Sequence, residues 1–531
     1  MLNSTQATRG MAVAPHSLAS QSALSVLREG GNAVEAMIAA AATIAAVYPH
    51  MNGIGGDGFW TIAAPGQPPV GIEAAGPAAR GVSRSFYQAQ GLGAIPTRGP
   101  LSANTVAATV SGWDVAHAYS RTIGGKLPVS RLLEDAIHYA RHGIPVTLSQ
   151  AENTRKKLDE LVEYPGFRDT FTMDGRPPRE GEIFRQPKLG ATLERLARGG
   201  LDSFYRGDLA HDIAADLASV GSPVTLADLQ SYRARRVTPL HLTHSAGDLY
   251  NMTPPTQGLV SLIILGLLDR VNLGQYAPDS VEHVHLVVEA TKQAFLIRDQ
   301  YITDPDYMKV DPQSCLTDGF LAPYAAAIRL DRALPWGKGK GPADTIWMGV
   351  IDGEGRAVSF IQSIYHEFGS GMVLPTTGIN WQNRGCSFSL DPAHINTLEP
   401  GKKPFHTLNP ALARFNDGRV MVYGSMGGDG QPQTQAAVFT RIGVFGQHPQ
   451  QAITAPRWLL GRTWGLPSDS LKLESRFSPE IVAGLKALGH DVEMLPDFDE
   501  TVGHAGAIVR HPNGAFEGGA DPRSNGGVAG F

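Results

Sequence analysis

The clearest strand pattern in the chain begins at residue 345 and predicts a β-hairpin. Residues 345–352 and 356–363 are two short runs rich in β-branched and aromatic residues, and an acidic, Gly-containing turn lies between them. Two such runs about a Gly-containing turn are typical of a hairpin. The preceding residues 336–342 are rich in Gly, Lys and Pro and cannot continue a helix or a central strand. We therefore expect the Asp344–Thr345 bond to lie in a mobile surface connection that leads into the first strand.

Before this hairpin the hydrophobic positions mostly follow a helical period. Ser17–Arg28 predicts a first helix, and Ala33–Val47 is apolar almost all round, which predicts a helix buried in the core. The second run is shorter than the roughly 20 residues of a membrane span and contains Glu35, so a membrane helix is excluded. Further helices are predicted at Val129–His142, Gln150–Val162, Leu189–Ala197, Ser203–Leu217, Thr225–Arg233 and Glu282–Ile302.

Strand patterns cluster after the hairpin. Ala411–Phe415 and Val420–Ser425 flank an Asn-Asp-Gly turn, and Ala507–Arg510 and Gly514–Gly518 form a second pair. An earlier strand, 59–63, follows a Gly-rich segment that lacks the sequence context of a phosphate loop and predicts tight turns instead. Helices are expected near Thr434–Phe445 and Pro479–Leu488. Clustered strands with flanking helices fit two packed sheets covered by helix layers.

Composition and charge exclude several classes of partner. With 531 residues, 42% of them hydrophobic and 18% charged, the chain can bury a large core and is expected to be soluble. The net charge of −5 is small for this length, and the basic residues are scattered. We therefore expect no nucleic-acid partner and no membrane partner, whereas a small-molecule substrate remains open.

The two cysteines, Cys315 and Cys386, do not suggest a metal site or a disulfide framework. They are too few for such a framework and lack the paired spacing of zinc ligands, so no metal and no cofactor is expected. The first ten residues have no apolar core of signal-peptide length, which predicts a cytoplasmic protein.

Six short motifs are spread along the chain, and each is weak alone: 30–36, 53–59, 254–258, 368–371, 424–428 and 519–523. Their order and spacing resemble the γ-glutamyltransferase family of N-terminal-nucleophile hydrolases. The resemblance covers nearly the whole chain and implies an α+β fold, a four-layer αββα sandwich. It also implies cleavage of the precursor between Asp344 and Thr345 into 1–344 and 345–531, which together form one compact domain. The expected assembly is a heterodimer of these two chains, with a dimer of heterodimers left open.

Thr345 is the candidate nucleophile. A Thr at a new chain terminus carries both a hydroxyl and an α-amine, and the amine has a reference pKa of about 7.7–8.0, which suits a general base. The 17 histidines show no obvious Ser-His-Asp motif. The alternative is that Thr345 is simply a β-branched strand residue.

The resemblance implies roles for three further residues. Ser363 aligns with a hydroxyl that hydrogen-bonds the nucleophile, although a Ser at a strand end is often merely solvated. Gly427 and Gly428 resemble the paired backbone N–H donors that hold the tetrahedral oxyanion, although a plain turn also uses Gly-Gly.

Substrate recognition departs from the γ-glutamyl enzymes of the family. The Arg that pairs with the glutamyl carboxylate is replaced by Glu73, and the Asp that binds the substrate amine is missing near residues 386–387. Arg384 remains as a carboxylate partner, with a surface position or a structural salt bridge as its alternative. The other expected substrate-binding residues stand where the family has Asn and Ser-Ser: Tyr365, His406 and Thr407.

The run Asn-Arg-Gly-Cys-Ser-Phe-Ser at 383–389 and the expected lack of an export signal look more like the acylase and oxamate amidohydrolase branch. The leading hypothesis is a self-processing amidohydrolase that hydrolyses a small carboxylate-bearing amide, with oxamate as the most specific candidate. A γ-glutamyl hydrolase or transpeptidase with a rebuilt pocket is the alternative. A third possibility, from another class, is an uncleaved scaffold protein without activity.

Overall fold

The computed structural model describes residues 3–337, 344–461 and 468–531, and of residue 344 only the backbone. Its strands, in chain order, are β1 Thr5–Ala7, β2 Gly10–Ala14, β3 Asp57–Ala63, β4 Val70–Ala74, β5 Ile144–Pro145, β6 Ile183–Phe184, β7 Arg235–Val237, β8 Leu240–His244, β9 Gly247–Asn251, β10 Asp344–Asp352, β11 Ala357–Tyr365, β12 Ala411–Phe415, β13 Val420–Ser425, β14 Trp458–Leu460, β15 Leu471–Glu474, β16 Val492–Leu495, β17 Ala505–Arg510, β18 Phe516–Ala520 and β19 Gly527–Gly530.

The helices lie mainly before the hairpin. In chain order they are α1 Ser17–Arg28, α2 Ala33–Val47, α3 Arg84–Gln88, α4 Thr109–Thr122, α5 Val129–Leu132, α6 Glu134–His142, α7 Leu148–Leu161, α8 Phe167–Phe171, α9 Pro187–Gly199, α10 Ser203–Arg206, α11 Asp208–Ser219, α12 Leu226–Ser231, α13 Gly258–Arg270, α14 Val281–Tyr301, α15 Asp318–Ala327, α16 Gln431–Phe439, α17 Pro449–Thr454 and α18 Pro479–Ala487.

Two seven-stranded sheets form the centre of the molecule. One has the order β1-β18-β17-β13-β12-β9-β8 and the other the order β19-β2-β10-β11-β3-β4-β7. A hydrophobic layer with residues from both sheets lies between them. Helices α1, α2 and α4 share a core with the outer face of the second sheet, and α13, α14 and α16 share one with the first. The predicted four-layer αββα sandwich is thereby confirmed.

Strand β10 shows how the sequence divides its side chains between layers. Ile346, Met348 and Val350 belong to the helix-covered core, whereas Trp347 and Ile351 belong to the layer between the sheets. Alternate residues of a strand point to opposite faces, so this strand is buried on both sides. The Trp347 indole also donates a hydrogen bond to Ser359 Oγ at 2.9 Å. Together these contacts fix β10 in the middle of its sheet.

Local sequence signals explain the best-predicted helices. Ser17–Arg28 and Ala33–Val47 have the predicted bounds, and the second begins with a capping box in which Asn32 and Glu35 bond each other's backbone N–H groups. Two predicted helices are each divided in two. Leu133 separates α5 from α6, and Gly207 separates α10 from α11.

Several elements escaped the sequence patterns. Helix α13 is buried almost all round, and its nearly continuous apolar run was a usable signal. Helix α4 and the short edge strands β1, β7 and β19 were also missed. In the last hairpin the second strand was predicted to begin at Gly514, two residues before β18 begins at Phe516. In the described residues no helix is both long and apolar enough to span a membrane.

Candidate active site

Thr345 lies near the start of β10, opposite the end of β11. Asp344 pairs with Tyr365 and Ile346 pairs with Gln362, so two residues of β11 stand opposite the single Thr345. Such a β-bulge re-aims a side chain and is common beside active sites. Thr345 is fully buried. The expected surface position is therefore wrong for Thr345, because it already belongs to a covered strand; the expected mobile approach at residues 338–343 lies outside the described residues.

Ser363 is also buried, so the solvated strand-end alternative is wrong. Its backbone pairs with Asp57 of β3, and its Oγ accepts a hydrogen bond from the Tyr365 N–H at 2.8 Å. Gly56 permits this packing, because a Cβ there would lie 2.0 Å from the Ser363 carbonyl oxygen. The Gly-rich segment 53–58 thus brings β3 against the strand end that faces Thr345.

Gly427 and Gly428 form a left-handed turn directly after β13. Their φ angles are +116° and +53°, values that favour glycine. A single turn of 3₁₀ helix, Gly428–Gly430, follows. Successive backbone N–H groups in such turns can form a concavity that binds an anion.

Gln257 connects this turn to another candidate residue. Its Nε2 donates to the Gly428 carbonyl at 2.8 Å and to the Thr407 carbonyl at 3.0 Å, and the side chain is fully buried. Gln257 lies in one of the family-like motifs, but the sequence alone gave it no role. The structure shows that it holds the Gly-Gly turn next to Thr407.

Arg384 is a buried cation, so the surface alternative is wrong for it. Only 1% of the residue is exposed, and its guanidinium carbon lies 3.8 Å from the centre of the Tyr365 ring. Neither Nη1 nor Nη2 makes a hydrogen bond in the part of the chain that the structure describes. Burial lowers the pKa of Arg384 and raises that of Tyr365. A buried guanidinium without a hydrogen-bonded partner is costly unless an anion binds it.

The pKa of His406 is influenced in opposite directions by Asp57 and Arg384. Its Nε2 is 3.2 Å from Asp57 Oδ2, yet neither ring nitrogen forms a well-aligned hydrogen bond with a described residue. Burial, helped by the positive charge of Arg384, lowers the pKa of His406 to about 4. The ring is therefore neutral at pH 7. Asp57 is itself fixed through Oδ1, which accepts from Gly76 N–H and Gln382 Nε2.

A pocket of about 470 Å³ adjoins these groups. Tyr365, Thr407 and Asp429 line one part of it, and residues of the 387–396 segment line much of the rest. The Thr407 hydroxyl is buried and has no hydrogen-bond partner among the described residues. Arg384 stands behind this pocket, against the ring of Tyr365. The cavity has the volume of an ordinary small-molecule site and is lined by polar as well as apolar groups.

Asp429 and Arg298 form a buried ion pair beside this pocket, and the sequence alone gave neither residue a role in the site. Arg298 Nη1 lies 3.0 Å from Asp429 Oδ2, and their side chains are 1% and 9% exposed. Arg298 comes from the long helix α14, and Asp429 directly follows the Gly-Gly turn. The local sequence offered no distinctive signal for Asp429, since Asp and Gly are both common in plain turns.

Glu73 is neutralised away from this pocket. Its carboxylate accepts from Lys403 Nζ at 2.6 Å and from Arg235 Nη2 at 3.3 Å. These three residues line a separate crevice. Glu73 therefore presents no free negative charge to a substrate at Tyr365 and Thr407.

A larger crevice lies elsewhere on the molecule. It has a volume of about 890 Å³ and includes Glu152, Lys156, Asp497 and Arg523 in its lining. None of the predicted site residues lines it. Volume alone would therefore have pointed away from the predicted site residues.

One group of side chains in the described ranges could hold a metal ion by spacing alone. The ligand atoms of His285, Glu289 and His490 lie within 4.8 Å of one another. However, Glu289 already accepts from Lys292 Nζ at 2.6 Å, and the two imidazoles are hydrogen-bonded to each other at 2.8 Å. The competing ammonium makes a polar structural network the better interpretation.

Comparison with known proteins identifies the family. The model of the gamma-glutamyltranspeptidase family matches residues 19–531. The chain belongs to this family. As predicted, it is an enzyme, an amidohydrolase or acyltransferase of the gamma-glutamyltranspeptidase family, and its resemblance to the acylase and oxamate amidohydrolase branch is confirmed.

Individual relatives of this family member span its full length. The oxamate amidohydrolase proenzyme of Klebsiella pneumoniae is 61% identical, with 100% of both chains covered. The glutathione hydrolase-like YwrD proenzyme of Bacillus subtilis is 40% identical, again over 100% of both chains. Among solved structures, cephalosporin acylase from Bacillus halodurans superposes with a TM-score of 0.91 at 34% identity, covering 100% of this chain and 97% of the other.

Proposed function

We propose that this protein is a self-processing amidohydrolase that hydrolyses a small amide bearing a carboxylate, with oxamate as the substrate. The observation that carries the proposal is Arg384, a buried guanidinium whose terminal nitrogens have no hydrogen-bond partner in the described structure. A substrate carboxylate would pair with it in the bidentate geometry that Arg favours. The 61% identity to an oxamate amidohydrolase proenzyme supports the same substrate.

Self-processing uses Thr345 before it is a chain terminus. The Thr345 Oγ attacks the carbonyl carbon of Asp344, the peptide C–N bond breaks, and the resulting ester is hydrolysed by water. The products are chains 1–344 and 345–531, which stay together as a heterodimer. The cytoplasmic location and any dimer of heterodimers remain predictions from the sequence.

Hydrolysis then uses both groups of the new terminus. The Thr345 α-amine accepts the Oγ proton while Oγ attacks the substrate carbonyl, whose oxygen becomes an oxyanion held by the N–H groups of Gly427 and Gly428. When this intermediate collapses, the C–N bond breaks and the nitrogen takes the proton back from the α-ammonium, so ammonia leaves. Water hydrolyses the acyl-Thr345 ester in the second half of the reaction.

A guanidinium end without a partner, rather than the net charge of the pocket, favours a carboxylate substrate. The carboxylates of Glu73 and Asp429 are paired with Lys403 and Arg298, although Arg298 is shared with Asp299. His406 is neutral at pH 7 because burial lowers its pKa to about 4, so the nearby Asp57 carboxylate offsets part of the charge of Arg384. Nη1 and Nη2 of Arg384 nevertheless have no hydrogen-bond partner in the described site. A substrate carboxylate would supply that partner.

We expect γ-glutamyl amides to be poor substrates compared with oxamate. A γ-glutamyl donor carries an ammonium as well as a carboxylate, and leaving one buried charge unpaired costs several kcal/mol. At about 1.4 kcal/mol per tenfold, its kcat/KM should be at least ~100-fold lower. The measurement compares ammonia or amine release from oxamate, glutaryl amides and γ-glutamyl-p-nitroanilide by the processed protein.

The same comparison decides between the two enzymatic alternatives. Efficient turnover of γ-glutamyl-p-nitroanilide, with oxamate left unchanged, would replace the proposal by the γ-glutamyl hydrolase. That alternative draws its support from the 40% identity to a glutathione hydrolase-like proenzyme. Denaturing electrophoresis tests the inactive scaffold, since a single persistent chain in the wild type would favour it.

We expect Ser363→Ala to slow turnover about 5-fold or more while the protein still folds. The hydroxyl lies in the strand end that faces Thr345 and accepts a hydrogen bond from Tyr365 N–H, and losing one such bond costs about 1 kcal/mol or more. Steady-state kinetics and thermal unfolding should be measured together. Ser359→Ala, in the same strand but bonded to Trp347, is the matched control. Unchanged kinetics in Ser363→Ala would remove this residue from the site.

A further inference from the structure

The carboxylate of Asp429 lies in the candidate substrate pocket, next to the proposed oxyanion site. Asp429 directly follows Gly428, whose N–H is a proposed donor to the oxyanion, and it lines the same pocket as Tyr365 and Thr407. Its negative charge is also close enough to contribute to the raised pKa of Tyr365. The side chain therefore shares the pocket with the carbonyl that would be attacked.

Two contacts hold Asp429 in this position. Arg298 Nη1 lies 3.0 Å from Oδ2, and Gln433 Nε2 donates to the Asp429 backbone carbonyl at 3.1 Å. Arg298 is itself fixed within the core, where its guanidinium carbon lies 4.1 Å from the centre of the Phe295 ring. An ion pair with this degree of burial is costly to form and is weak grounds for stability alone. Its place beside the pocket suggests a purpose in recognition.

The chemistry of the two partners defines what the pair can recognise. An ionised carboxylate only accepts hydrogen bonds, so the matching group on a substrate is an N–H donor. A primary amide offers two such donors on its nitrogen, whereas an ester of the same acid offers none. Arg298 offsets the charge of Asp429 only in part, because its Nε also pairs with Asp299 Oδ1 at 2.9 Å. The acceptor character of the carboxylate, rather than charge balance, therefore defines the matching group on the substrate.

We propose that Asp429 is a specificity residue that accepts a hydrogen bond from the amide nitrogen of the substrate, and that Arg298 is the positioning residue that aims its carboxylate. The proposal rests on the proposed function. Asp429 takes no proton in the reaction: the C–N bond breaks as the Thr345 α-ammonium protonates the nitrogen, and the departing ammonia keeps its hydrogen bond to the carboxylate. The protein thereby selects amides over esters of the same acid.

The test compares oxamate with monomethyl oxalate in the processed enzyme. The value of kcat/KM reports the steps up to acylation, and both substrates give the same acyl-enzyme. Asp429→Asn should lower kcat/KM for oxamate about 10- to 100-fold, the range of a hydrogen bond to a charged group, and should change it less than ~3-fold for the ester. Arg298→Lys should lower the amide-to-ester ratio by a smaller factor.

The matched control removes a comparable ion pair elsewhere. Asp279 accepts from Arg441 Nε at 2.9 Å, and Arg441 is fully buried, but neither residue lines the substrate pocket. Asp279→Asn should therefore leave the amide-to-ester ratio unchanged.

The possible outcomes distinguish this proposal from the proposed amidohydrolase function on which it rests. If Asp429→Asn lowers amide and ester hydrolysis equally, the residue only supports the turn and the proposal is wrong, although the amidohydrolase function stands. If the folded, processed wild type hydrolyses neither compound, the proposed substrate class fails and this inference fails with it. A fall in the ratio confined to the Asp429 and Arg298 variants supports it.

Discussion

Thr345→Ala is expected to remain a single chain of 531 residues and to have no measurable amidohydrolase activity. Alanine has no hydroxyl, so nothing attacks the Asp344 carbonyl. Without cleavage residue 345 also has no free α-amine, and no acyl-enzyme can form. Loss of a covalent nucleophile lowers kcat by roughly four orders of magnitude or more in comparable hydrolases. Denaturing electrophoresis and intact mass should show one chain, against fragments that end at 344 and begin at 345 in the wild type.

Two controls are needed to interpret the Thr345→Ala result. Thr345→Ser keeps the hydroxyl and, after cleavage, the α-amine. It should still be cleaved, although more slowly, and this result would show that the hydroxyl rather than the β-branched shape of the side chain is required. The buried position of Thr345 in β10 also requires that Thr345→Ala be shown to fold, by circular dichroism and thermal unfolding. Cleavage of a folded Thr345→Ala chain at the same bond would contradict the intramolecular mechanism.

Arg384→Ala is expected to be cleaved normally and yet to lose most activity on oxamate, chiefly through a higher KM. The guanidinium is buried beneath Tyr365, and losing its pairing with a substrate carboxylate costs about 3 kcal/mol or more, which is ~100-fold in kcat/KM. Self-cleavage acts on the chain itself and does not need this pairing. The measurement is steady-state kinetics on short acids that differ only in their carboxylate.

The charge and shape of Arg384 can be separated. Arg384→Lys keeps the charge but loses the planar fork, so it should recover only part of the activity. Because the unpaired guanidinium is costly in the free protein, we expect the Tm of Arg384→Ala to stay close to that of the wild type or to rise. Arg414→Ala, whose guanidinium bonds backbone carbonyls at the protein surface, serves as control. Unchanged kinetics of Arg384→Ala on every acid tested would remove it from the pocket.

Local patterns predicted the parts of the fold that are dictated by nearby residues. The first two helices, the strands Ala411–Phe415 and Val420–Ser425, and the hairpin at 345 all follow from periodicity, caps and turn residues. The edge strands β1 and β19 could not be predicted this way, because they are short and depend on distant partners, β18 and β2. Tertiary pairing, rather than propensity, makes them strands.

The residues of the candidate site also differ in whether nearby sequence or distant contacts reveal them. Thr345, Ser363, Arg384 and the Gly-Gly turn were proposed from their local sequence context and from the family resemblance, and their roles stay predictions. Asp57, Gln257 and the Arg298–Asp429 pair were not proposed, since their significance comes from contacts across 100 or more residues of sequence. The burial of Thr345 was likewise hidden, because a Gly- and Pro-rich approach suggests exposure while the sheet decides it.

The strand order of the two sheets makes the proposed cut a one-way event. Strands from before residue 344 lie directly beside strands from after it, as in the pairs β2–β10, β3–β11 and β9–β12. In the uncut chain these pairings form within one molecule, so folding does not depend on protein concentration. After the cut the same pairings join two molecules, and reassembly becomes a second-order process whose yield falls on dilution. The mature enzyme would then persist because it unfolds slowly, rather than because it can refold.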